Sequence, residues 1–159
     1  MPNAQYWTAL VVVAVAGLAV RVTHGEVLLR QRAFPLGRLD LAVVLVALLA
    51  LGFHCAAMFF RSVVAAITGA DDAIVAVSEL GTASQVAYWV PAGLLLIALR
   101  RAWAPLLIAE GGVLLAVGAT MFWDFGLRAH LVAIAGAVAV TTAVLATAAA
   151  RVTGHRISE

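Results

Sequence analysis

The chain has 159 residues, of which 65% are hydrophobic and only 11% charged, against about 45–50% and about 25% in ordinary soluble domains. A soluble fold of this size could not cover so much apolar side chain, and disordered segments are poor in apolar residues. The net charge of +2 comes from arginines set at the ends of apolar runs, a pattern of membrane anchoring that excludes a nucleic-acid partner. The expected class is all-α: a polytopic membrane helix bundle forming a single transmembrane domain over residues 1–159.

A helix needs about 20 mostly apolar residues to cross the hydrocarbon core of a bilayer. Five such runs follow in order, at about 6–29, 39–60, 80–99, 103–123 and 129–150. Arg21, His24 and Glu26 interrupt the last third of the first run. Between the second and third, residues 61–79 are expected to form an outer loop, surface-lying or partly re-entrant, with Asp71 and Asp72 capping a short helix over 73–80. Pro91 should kink the third run, and Pro105 suits the first turn of the fourth.

Arginine bias sets orientation. With the N-terminus outside, Arg21, Arg30, Arg32, Arg38, Arg100, Arg101, Arg151 and Arg156 fall inside, and only Arg61 and Arg128 outside. The expected topology is N-terminus out and C-terminus in, multi-pass, in a bacterial inner (cell) membrane. Met1 to Trp7 carries no Lys or Arg, unlike the start of a cleavable signal peptide. Tyr6, Trp7, Phe59, Phe60, Tyr88, Trp89, Phe122, Trp123 and Phe125 are expected at the outer interface, and Phe34 and Trp103 at the inner one.

The fourth and fifth runs carry small residues at four-residue intervals. Gly112, Ala116 and Thr120 form one series; Ala135, Ala139, Ala143 and Thr147 form the other. Such series let backbones approach closely in lipid, so these two runs are expected to pack, self-associate or dock on other membrane subunits. Chance in Ala-rich spans accounts for the same pattern equally well.

Polar groups within the runs fall into two layers. The inner layer holds Glu110, Arg21 and His24, with Asp40 nearer the surface. By helical rise, Glu110 lies about 10 Å from the inner end of its run, Arg21 about 13 Å and His24 about 9 Å. Intramembrane charges mark either function or a specific ion pair. The layer therefore reads as a carboxylate that carries a proton or cation, or as a structural Arg21–Glu110 pair. Arg21 could also snorkel inward.

The outer layer holds His54, Cys55, Met58, Met121, Asp124 and His130. His54 and Met58 are four apart and share a helix face, and imidazole, thiolate and thioether together favour copper(I). Two histidines on different helices also suggest haem ligation, although helical rise puts His54 about 10 Å below Arg61 and His130 only about 3 Å below Arg128. Each donor has a plainer reading as a packed core residue.

No nucleotide-binding loop, nucleophile elbow, H-E-x-x-H or C-x-x-C motif is present, so catalysis by the chain alone is not expected. Three functional expectations remain. The first is a structural or cofactor-supporting subunit of a respiratory, oxygenase or transport complex. The second is a small homo-oligomeric transporter or channel using Glu110 for a proton or cation. The third is a membrane protein binding copper or haem.

Overall fold

The computed structural model describes residues 36–156, apart from Thr68 and Asp124, together with Val12, Val15 and Ala19. Most of the first expected span, with Arg21, His24 and Glu26, lies outside the described residues. So do the side chains after Ala148.

From Leu36 onward the described residues fold into helices with no strand. In chain order these are α1 (Arg38–Phe59), α2 (Arg61–Val64), α3 (Asp71–Ser78), α4 (Thr82–Ala98), α5 (Ala104–Phe122) and α6 (Gly126–Arg156). Among the described residues three stretches are long and apolar enough to cross a membrane: α1, α5 and the Gly126–Ala148 part of α6, with mean hydropathies of 2.5, 1.7 and 2.2. The fourth candidate is composite, because α3 and α4 pass the same test only together and meet at a 98° bend.

Local chemistry explains the ends. Gly37 is extended before α1, Pro105 occupies the first turn of α5, and Gly126 enters α6 at φ +76°, a conformation that favours glycine. α6 thus begins three residues before the expected 129 and runs six past the expected 150. Pro91 lies inside α4, which continues through it; the N–H it lacks is one helical bond forgone.

The segment after α1 differs from expectation in one respect. Asp71 and Asp72 do not cap α3 from outside: the N-cap is Ala70, and both aspartates lie in the first turn, where negative charge suits the helix dipole. α3 buries Ile74 and Val77 against α1 and α4. The turn into α4 places Leu80 at φ +54°, the one non-glycine residue with positive φ among those described.

α1 packs chiefly on α4, and α5 chiefly on α6, with α4 also touching α5 to join the two pairs. The join is tight at Gly118: a Cβ there would stand 2.9 Å from Tyr88 Cε1 and 3.2 Å from Trp89 Cζ2. Tyr88 uses this room to pass α5 and donate a hydrogen bond to the Leu114 carbonyl oxygen at 2.5 Å. Its ring packs edge-on against Trp89 and Phe122. Tyr88, Trp89 and Phe122, expected at the outer interface, are therefore core residues. Phe60, Phe125 and Trp103 are exposed, as interface positions would be.

The small-residue series also face elsewhere than a close α5–α6 contact would need. Gly112, Ala116, Ala135, Ala139, Ala143 and Thr147 are exposed. The buried positions are Ala104, Glu110, Leu114, Val117, Gly118, Met121 and Phe122 of α5, and His130, Thr141 and Val144 among the described side chains of α6. Without a hydrophobic drive between helices in lipid, association rests on packing and interhelical hydrogen bonds. In this bundle Tyr88, Thr141 and His130 supply the latter.

Candidate functional site

Glu110 lies in the second turn of α5 and is wholly buried. The neighbouring α6 presents Thr141, whose hydroxyl donates to Glu110 Oε1 at 2.6 Å. Oε2 has no hydrogen-bond partner, and no ion pair to Glu110 occurs among the described residues. A carboxyl buried in this way has one oxygen held and one open.

Asp40, assigned to the same inner layer, is engaged separately. It sits in the first turn of α1 and forms an ion pair with Arg100 after α4, Nη1 to Oδ1 2.8 Å. That pair ties the start of α1 to the end of α4, and Arg100 also bonds the Ile97 carbonyl. Arg21 and His24, the other expected members, lie outside the described residues.

A cavity of about 270 Å³ lies between α1, α4, α5 and α6. Leucines and valines make most of its wall; its polar lining comes from Tyr88, Cys55, Thr141 and Thr142. Thr141 thus stands between this cavity and Glu110, and Leu114, the acceptor for Tyr88, is one helical turn beyond Glu110.

The outer-layer residues divide. His54 and His130 are both fully buried. The His130 ring stacks on Phe59 with centroids 3.8 Å apart. Its Nδ1 lies 2.9 Å from Thr120 Oγ1, whose hydrogen goes to the Val117 carbonyl at 2.8 Å. Thr120 therefore accepts from Nδ1–H, and in the neutral ring Nε2 is left as a bare acceptor with no partner. His54 packs against the Tyr88 ring, centroids 5.5 Å apart, and neither of its nitrogens has a partner.

Cys55 follows His54 directly but lines the cavity beside Tyr88, whereas His54 lines a different groove. Met58 is half-buried against the core, and Met121 is buried beside Phe122. Among the described residues no group of three or more His, Cys, Asp or Glu side chains is gathered so as to hold a metal ion.

Sequence reasoning missed Thr141, Tyr88 and Thr120, the residues that bond or flank the buried ionisable groups. The available signal was a Thr141-Thr142 pair in the middle of an otherwise apolar run. Comparison with protein-family models, curated proteins and solved structures finds no match for this chain.

Proposed function

We propose that this chain is a membrane helix bundle that handles a proton at Glu110, in the manner of a small transporter or channel component. The observation that carries the reading is the half-engaged carboxyl: fully buried, with Oε1 held by Thr141 and Oε2 open. An intramembrane carboxylate is costly, about 2.5–3.5 kcal/mol for Asp at a helix centre on insertion scales, and its retention supports a functional role. A proton fits better than a metal cation, because hard cations take about six to eight oxygen ligands and no acidic cluster surrounds Glu110 among the described residues. Thr141 orients the carboxyl, and the cavity beside it gives the exchanging proton a place to arrive or leave by way of water.

The topology that goes with this reading has five spans, the N-terminus outside and the C-terminus inside. The bent α3–α4 pair supplies the third span, and residues 6–29 supply the first. The test is proton flux in liposomes of the full chain. Glu110→Gln should abolish flux while the protein still folds, and unchanged flux would remove Glu110 from the role.

A second reading has its own support. The small-residue series of α5 and α6 are exposed, not spent on one another, which leaves close-packing faces for self-association or for other subunits of a membrane complex. Gentle extraction followed by mass spectrometry tests this reading. Co-purifying membrane chains in fixed proportion support the subunit role, and a self-contained homo-oligomer assigns those faces to copies of this chain.

A further inference from the structure

His54 is the one polar side chain lining a second, larger space. A groove of about 610 Å³ runs between α1, α3 and α4 at the inside of the 98° bend. Ala47, Ala50, Ala73, Ala76, Ala83 and Ala87 make much of its wall, and these small side chains are what leave it open. Val46, Val86, Val90 and Leu94 are exposed along its rim, so its mouth faces the surroundings of the bundle. The volume lies within the range of small-molecule sites, about 300–1,000 Å³, which are mostly apolar with a few placed polar groups.

His54 supplies such a group. It is 1% exposed, and neither Nδ1 nor Nε2 has a hydrogen-bond partner. Buried polar atoms are almost always satisfied, each exception calls for an explanation, and His54 leaves two such atoms unpaired. The neutral imidazole offers one donor and one acceptor. An uncharged hydroxyl or carbonyl oxygen satisfies it without bringing a charge into the apolar wall, which would be costly.

We infer that the groove between α1 and the α3–α4 bend is a binding site for a neutral, bilayer-soluble molecule: a long hydrocarbon or isoprenoid body carrying a hydroxyl or carbonyl oxygen that hydrogen-bonds His54. The wall holds the body and the imidazole fixes the oxygen end. This site is separate from Glu110 and does not depend on the proton-handling reading.

The test is photolabelling of the full chain in phosphatidylcholine nanodiscs, with Cys55→Ala as background. The probes are a diazirine-bearing long-chain alcohol and the matched alkane. The alcohol should label peptides from α1, α3 and α4 about five- to tenfold more than the alkane, the ratio one net hydrogen bond confers. His54→Leu should bring the alcohol down to the alkane level, and Ala76→Trp, which fills the groove, should reduce labelling by both. Equal labelling by the two probes, or alcohol labelling unchanged in His54→Leu, overturns the proposal. Cysteine pairs test protein occupants. Efficient disulfide formation between Ala76→Cys copies, or between Val15→Cys and Ala83→Cys, would assign the groove to a second copy or to the N-terminal segment and overturn it equally.

Discussion

The two helix pairs treat their buried ionisable groups differently. In the α5–α6 pair, Glu110 meets a donor from the facing helix, and one carboxyl oxygen is satisfied. In the α1–α4 pair, His54 faces Tyr88 and a groove lined by alanine, and neither nitrogen is satisfied. Both are wholly buried, so burial alone does not distinguish them. What distinguishes them is whether the protein supplies the partner: Thr141 positions Glu110 from within, whereas His54 awaits its partner from outside the chain. Within the α5–α6 pair the two helices also differ in enclosure, with 33% of α5 buried against 11% of the Gly126–Ala148 stretch. α6 thus offers most of its surface to lipid or to another helix.

The largest effect is expected where the two pairs are forced apart. Gly118→Leu forces a side chain into Tyr88 and Trp89, where even a Cβ approaches within 2.9 Å. It should destabilise the protein by about 3 kcal/mol or more, Gly118→Ala by about 1–3 kcal/mol, both read from thermal unfolding in detergent. An unchanged midpoint for Gly118→Leu would mean that α4 and α5 do not cross there.

Thr141→Val turns Glu110 into a second His54. It leaves a buried carboxyl with no donor from α6, and should cost about 1–3 kcal/mol while lowering flux. His54→Phe does the reverse. It replaces two unsatisfied nitrogens by an apolar ring, and should leave stability unchanged or raise it by about 1 kcal/mol in protein free of added ligand. Destabilisation by His54→Phe as large as that of Thr141→Val would erase the distinction.

Smaller effects sharpen the frame around it. Tyr88→Phe removes the bond to Leu114 between the pairs and should cost about 1 kcal/mol. Asp40→Asn weakens a partly exposed ion pair within the α1–α4 half, and should shift stability by about 0–1 kcal/mol with flux intact.

The sequence made the helical class and the positions of four helices legible within a few residues, apart from the longer end of α6. Span length is set by bilayer thickness, and apolar runs read directly. The inward or outward facing of residues within a span was not legible. Apolar residues surround α1 and α5 on all sides, with only scattered polar groups, so no continuous polar face announces which side meets protein. That is why Tyr88, Trp89 and Phe122 read as interface aromatics: an aromatic in an apolar run looks the same whether a neighbour covers it or not. Gly118 is what admits Tyr88 and Trp89 to the core, and its role depends on a helix more than twenty residues away in sequence. Glu110 was legible because a carboxylate in an apolar run is expensive anywhere. Thr141 was not, since a threonine in a span can satisfy itself on its own helix, as Thr142 does on the Val138 carbonyl.

The central claim is that Glu110 exchanges a proton from within the bundle. Proton flux across liposomes containing the full chain, compared between the native protein and Glu110→Gln of matched folding and reconstitution, tests it most directly. Flux is expected in the native protein and is lost in the variant. Equal flux in both, or none in the native protein under an imposed proton gradient, would contradict it.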